Sequence, residues 1–286
     1  MLHSLILAAS LSFTMADAQF AYGCASNLVE NCTPRDAGTV RGRMASKWLM
    51  DFASSHGVDM RRDIFHAMTP RCERSFANLY CEFETDPDAG WVVVISHFDT
   101  KPATKCPGAN DGASTTGLLM ALARSASRHG LAKGNLMLLW TDGEESMFGY
   151  SANDGFWGSK HAADELARSG RRIRAVICLD MLGDRDLKVT VPANSDALLA
   201  QLAKRAARRA GLGADFVTLI PDEVKDDHMA FAAKGWSAID LIDFDYGSRP
   251  GRNDWWHTSA DTIDKLGLES LHNSGRLVAE MLNMLL

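Results

Sequence analysis

Residues 136–145 read LMLLWTDGEE, five bulky apolar side chains followed at once by a threonine and a cluster of acids. A strand with one wet face alternates apolar and polar residues. LMLLW does not alternate, and neither does VVVI inside WVVVISH (91–97), so both faces of these strands must be covered. Other short runs, bulky or β-branched and bounded by Gly, Asp or Asn, read as further strands: NLYCEF (79–83 with flanks), NLMLLWT (135–141), AVICLDM (175–181) and SAIDLID (237–243). Helical periodicity fills the intervals at about 38–56, 112–129, 157–169, 195–211, 226–234 and 267–285. Alternation of this kind predicts an α/β fold, a central sheet with helices on each side.

Composition sets the limits. With 286 residues, 46% hydrophobic and 23% charged, the chain can bury a large core, and one catalytic-sized domain is expected. A net charge of -6 provides no basic stripe for phosphates, which argues against a nucleic-acid partner. SGRRIR and AKRAARR are short and read as solvated faces. The apolar stretch Leu5–Phe13 followed by Ala16-Asp17-Ala18 has the form of a cleaved signal peptide, giving an expected leader over 1–18, a catalytic domain over 19–286 and a secreted or periplasmic location. Only His3 precedes that stretch, and a buried first helix is the alternative. Cleavage after Ala18 would leave Gln19 as the new N-terminus. No later apolar run reaches the roughly 18 residues of a membrane span. Six cysteines in an exported chain permit disulfides: Cys24 with Cys32 is the preferred pair, Cys72 with Cys81 a second, and Cys178 a buried free thiol.

In such sheets chemistry gathers where strands end. His97 and Asp99 follow one strand; Asp142, Glu144 and Glu145 another; Asp180 a third; Asp240, Asp243 and Asp245 a fourth. The loop CPGANDGAST sets Asp111 ahead of a helix, and His257 stands in NDWWHTSADT (253–262). Taken singly, each reads as a cap or a satisfied polar residue. Together, imidazoles and carboxylates without thiolates suit Zn2+. Glu144 and Glu145, pointing in different directions, allow one to bind metal while the other handles a proton.

At these residues the chain resembles the zinc-dependent aminopeptidases of metallopeptidase family twenty-eight, and among their relatives the bacterial glutaminyl-peptide cyclotransferases most closely. The resemblance runs from about residue 33 to the C-terminus through TPRDAG, SHFDTK, PGANDGAS, TDGEE, WGSKH, CLDMLGD, DDHMAF, IDLIDFDYG and WWHTSADT, all in family order. It implies a three-layer α/β/α sandwich with a mixed sheet, the phosphorylase/hydrolase-like fold of zinc exopeptidases. Carried over residue by residue, it implies His97, Asp111 and Asp180 around one zinc and Asp111, Glu145 and His257 around another, with Glu144 as general base. The cyclotransferases resemble single-zinc enzymes using Asp111, Glu145 and His257 alone.

Aminopeptidases of the family typically carry Ser before the Asp-His of the DDH segment and no Trp before the last histidine. Here Asp226 and Trp256 hold those places, favouring the cyclotransferase. That reading implies cyclisation of N-terminal Gln on peptides or proteins with loss of ammonia, zinc polarising the γ-carbonyl, Glu144 moving the proton, Asp226 sharing it and Asp180 orienting the amine. Trp256 would wall the pocket, and Trp255 would face the core. Two departures bear on pocket shape: Tyr150 aligns with a pocket tryptophan, and Asp240 with a histidine of some animal enzymes. The alternatives are a two-zinc aminopeptidase and a non-catalytic binding ectodomain.

Overall fold

The computed structural model describes residues 10–213 and 215–286. One sheet of eight strands organises them: β1 (Arg61–Met68), β2 (Glu73–Glu84), β3 (Trp91–His97), β4 (Asn135–Thr141), β5 (Ile173–Asp180), β6 (Val189–Val191), β7 (Val217–Leu219) and β8 (Ala238–Ile242). Their spatial order is β1-β2-β4-β3-β5-β8-β6-β7. The central four, β4-β3-β5-β8, run parallel, while β1/β2, β2/β4 and β6/β8 are antiparallel, so the sheet is mixed. The helices are α1 (Met15–Cys32), α2 (Val40–Ser55), α3 (Thr115–His129), α4 (Trp157–Ser169), α5 (Ala197–Arg209), α6 (His228–Ala232) and α7 (Leu268–Leu285).

The unbroken apolar runs do what their pattern demands. Val92 and Val94 of β3, with Leu136, Leu138 and Trp140 of β4, enter the core shared with α1, α3, α5 and α7. Val93, Ile95, Met137 and Leu139 point the other way, onto Ala162, Ala163 and Leu166 of α4 and Phe231 of α6. The result is the three-layer sandwich, with the parallel strands all ending at one edge. β4 and α4 have the bounds expected from sequence.

Three elements were not anticipated, and a fourth stood only as the alternative to a leader. β1 is an edge strand whose burial alternates, with Asp63, Phe65 and Ala67 on the inner face, but apolar Ile64 and Met68 lie on the exposed one, so its sequence lacks the apolar/polar alternation that marks a half-buried strand. β6 and β7 are three residues each, too short for a periodic signal. The fourth is α1, which overlaps the expected leader. Residues 1–9 of that leader lie outside the described residues. From residue 11 the chain is packed: Leu11 and Phe13 are buried, Leu11 exchanges two 2.8 Å hydrogen bonds with the Asn283 amide, and the Phe13 ring fills the notch over Gly275, where a Cβ would sit 2.2 Å from it. Thr14 caps α1 in a capping box with Asp17. The expected cleavage point after Ala18 falls inside this helix, at a residue with no exposed surface, and Gln19 is a helical residue.

The expected disulfides are corrected. All six cysteines are free. Cys24 and Cys32 both lie in α1, where eight residues of helix separate them by roughly 12 Å, beyond the reach of a disulfide. Cys72 precedes β2 and Cys81 lies within it, roughly 30 Å along an extended chain. Cys178 is the buried free thiol expected. No helix among the described residues is long and apolar enough to cross a membrane.

Candidate metal centre

Parallel neighbours β3 and β4 deliver His97 and the Gly143-Glu144-Glu145 turn side by side, and Asp99 fastens the two together. Its Oδ1 accepts the backbone N–H groups of Gly143 and Glu144 at 3.0 and 3.1 Å, its Oδ2 that of Glu145 at 3.2 Å, and Oδ1 lies 3.5 Å from His97 Nδ1. Asp111 comes from the loop ahead of α3. Asp261 holds that loop, its carboxylate accepting the N–H groups of Asn110 and Asp111 and the Tyr246 hydroxyl. From below, the fully buried Arg35 donates to the carbonyls of Phe98, Pro107 and Gly108. Gly112 is required by contact: a Cβ there would stand 2.5 Å from the His97 carbonyl and 2.7 Å from its Nε2. His257 adopts a left-handed φ of 58°, a conformation unusual outside glycine, and Trp256 stacks on its ring at 3.8 Å.

These loops bring the expected ligands into two adjoining groups that share Asp111. In one, His97 Nε2 lies 3.1 Å from Asp111 Oδ1 and 3.2 Å from Asp180 Oδ1. In the other, His257 Nε2 lies 3.0 Å from Glu145 Oε1 and 3.4 Å from Asp111 Oδ2. Each carboxylate oxygen of Asp111 thus faces a different histidine. Asp111 Oδ2 and Glu145 Oε1 are buried and accept no hydrogen bond, so both point with His257 at a volume that a cation would satisfy. The donors are hard oxygens and imidazoles, the set zinc takes in open catalytic sites, and the residues fit that ion. Charge is balanced among the side chains. Burial works against the charged forms of His97 and His257, yet the carboxylates that face them win: His97 is raised well above an ordinary imidazole and His257 to about 9. Burial also opposes ionisation of Asp111, but the two imidazoles hold it far below the usual carboxylate range.

A second set of acids lies beside the ligands. Glu144 is buried, and burial followed by the charge of Glu145 pushes its carboxyl well above the usual range. The Tyr150 hydroxyl lies 3.2 Å from both Glu144 Oε2 and Glu145 Oε2. Asp180 and Asp226 are each raised to about 6, mainly by burial. Lys101, from SHFDTK, reaches 3.3 Å from Glu145 Oε2 and 3.0 Å from Ser146 Oγ. Asp111, Glu144, Tyr150, Asp180, Trp256 and His257 line one pocket of about 200 Å³.

Asp240 is a correction: expected in the pocket wall, it does not line it. It pairs in register with Cys178 across β5/β8, two residues below the strand ends, and is fully buried beside Asp226, whose Oδ2 lies 3.4 Å from Cys178 Sγ. Trp255 packs edge-on against Tyr246 in a small cluster under the loop, not in the sheet core. The anchoring work of Asp99, Asp261 and Arg35 was not foreseen. For Asp261 the available signal is its place four residues after His257.

One acid of this cluster gives a stability test. Asp227 accepts from the Thr141 hydroxyl at 2.5 Å and is raised to about 7, by burial first and then by the charge of Asp226. Its unfolded value is about 3.9. A carboxyl raised on folding contributes stability that is fully present below the unfolded pKa and lost as pH climbs through the folded one. Asp227→Asn keeps the acceptor for Thr141 and cannot ionise. The Tm of this variant minus that of the parent is therefore expected to grow by about 3 °C or more between pH 5 and pH 8, corresponding to ~1 kcal/mol. A difference independent of pH would refute the assignment.

Comparison with known proteins agrees with this architecture. Over 258 residues the chain is 28% identical to the glutaminyl-peptide cyclotransferase-like protein of Bos taurus, covering 80% of this chain and 65% of that one, just under two thirds of its length. It is 28% identical over 196 residues to aminopeptidase YwaD of Bacillus subtilis (strain 168), covering 65% of this chain and 39% of that protein. The crystal structure of an Acidobacteriales bacterium glutaminyl cyclase superposes with a TM-score of 0.86 at 30% identity, over 97% of both chains. The model of peptidase family M28 matches residues 78–282, from within β2 to the last turn of α7, and the chain belongs to that family.

Proposed function

We propose that the protein is a zinc-dependent glutaminyl-peptide cyclotransferase, converting the N-terminal Gln of peptides to pyroglutamate with release of ammonia. The observation that carries this reading is the closure of the pocket. Trp256 stacks on the metal-facing His257 and meets Phe244 edge-on at 5.0 Å, leaving about 200 Å³ beside Glu144, room for one small side chain. Similarity to the Acidobacteriales cyclase over nearly the whole of both chains supports it.

Asp111, Glu145 and His257 would hold zinc, which when bound supplies Lewis-acid polarisation of the γ-carbonyl. The chain's own acids handle the rest. The substrate's α-amine nitrogen forms a bond to its side-chain amide carbon, and the bond from that carbon to the amide nitrogen breaks. Glu144 takes a proton from the attacking amine and returns one to the leaving nitrogen, so ammonia departs and the carboxylate is regenerated. Buried Asp226, its carboxyl raised to about 6 by burial, shares that proton, and Asp180 at the pocket wall faces the amine. Peptide or protein N-termini are the substrates, and an exported location belongs to the same proposal.

One observation favours a second reading. His97, Asp111 and Asp180 are assembled as closely as the other triad, the arrangement a two-zinc aminopeptidase needs. A binding ectodomain is disfavoured because every ligand position is filled. Incubation with Gln-initiated and with Leu- or Ala-initiated peptides, read by mass spectrometry, separates the first two. Loss of ammonia from the first, with no shortening of the others, is expected. Release of free amino acids would establish the peptidase instead, and metal content counts the ions.

A further inference from the structure

The pocket does not end at Tyr150. A second, larger cleft of about 490 Å³ opens beside it, and the two share Tyr150 and Lys225. Its floor is apolar: Phe156 lies stacked on the Tyr150 ring at 4.6 Å, and Met229, on the helix that follows Asp226-Asp227, is 40% exposed. Its charged residues are three lysines and one acid, and two of the lysines are engaged. Lys160 donates to the carbonyls of Ser151, Ala152 and Gly155, and Lys234 pairs with Asp164. Lys225 is exposed, stands where the two cavities join, and makes no ion pair among the described residues. Glu223, the nearest acid in sequence outside the buried cluster, lines the catalytic pocket rather than the cleft.

We propose that this cleft receives the substrate chain beyond its first residue and selects peptides with an acidic residue among positions two to four. The inference rests on the cyclotransferase reading and deepens it. A first residue seated over Glu144 has its carbonyl end toward the pocket mouth, and the mouth continues into the cleft across Tyr150 and Lys225. An apolar side chain following the first residue meets Phe156 and Met229. A carboxylate a residue or two further on finds in Lys225 an exposed ammonium group that makes no ion pair among the described residues. Such an exposed pair is modest and salt-sensitive, so it governs choice among peptides rather than chemistry.

The test compares glutaminamide, which fills only the first position, with short Gln-initiated peptides carrying one Glu or one Lys at position two, three or four. At low ionic strength, kcat/KM for a Glu peptide is expected to exceed that of its Lys counterpart about five- to tenfold at one or more positions, mainly through KM. The preference should collapse in ~0.5 M salt. Lys225→Glu should reverse the Glu/Lys ratio, and Lys225→Ala, a truncation of an exposed side chain, should bring it near one. Absence of any charge preference, or a preference that survives in Lys225→Glu, overturns the proposal while glutaminamide turnover still upholds cyclisation. Failure of glutaminamide and of every peptide to cyclise would overturn both.

Discussion

Glu144→Gln is expected to lower kcat for cyclisation by roughly 10³-fold while leaving the zinc content unchanged. A positioned proton-transfer group contributes ~10²–10⁴ in rate. The expectation depends on the separation of two adjacent side chains. Glu145 Oε1 lies 3.0 Å from His257 Nε2, whereas Glu144 lines the pocket and pairs with neither histidine. Glutamine at 144 is nearly isosteric, still accepts from Tyr150, and cannot take up a proton. Glu145→Gln is the control: it should release metal and activity together. Loss of zinc from the 144 variant, with retention by the 145 variant, would show the two roles exchanged, and near-full activity in Glu144→Gln would remove proton transfer at this position altogether.

What made the site legible in sequence was the coincidence of two patterns: strands too apolar to have a wet face, and acids or histidines at the residue where each strand ends. His97, Glu144, Glu145 and Asp180 follow from that, because parallel neighbours end at one edge. Asp240 shows where such counting stops. It belongs to a strand-end motif, yet its register partner is Cys178 rather than Asp180, which places it two residues beneath the strand ends that line the pocket. The anchors were hidden for another reason. Asp99 binds three backbone N–H groups more than forty residues away, and Asp261 binds two some 150 residues away, so their work depends on tertiary approach and carries no local pattern. α1 was concealed because an apolar run followed by small residues is written alike in a leader and in a helix packed on a core.

That last ambiguity carries the second large effect. Removing residues 1–18 is expected to destabilise the protein by about 4–7 kcal/mol relative to removing residues 1–9. Burying Leu11 and Phe13 is worth ~1.5–3 kcal/mol each, and the Thr14 cap adds ~1 kcal/mol. Domains of ordinary stability hold only ~5–15 kcal/mol in total, so the shorter protein should melt at least about 10 °C lower or fail to fold. The loss is specific in position. Phe13 occupies a notch that exists because residue 275 is glycine, and α1 crosses α3 at Gly117, where a Cβ would lie 2.3 Å from the Ala21 carbonyl. Helix α1 therefore cannot shift to refill what the cut removes. Gly275→Leu, which fills the same notch in the full chain, should expel Phe13 and lower Tm in the same direction. Mass spectrometry of the mature N-terminus is expected to find Leu11 and Phe13 retained. A mature chain beginning at Gln19, or a deletion of residues 1–18 as stable as that of 1–9, would return the segment to the leader and leave Phe13 without a structural part.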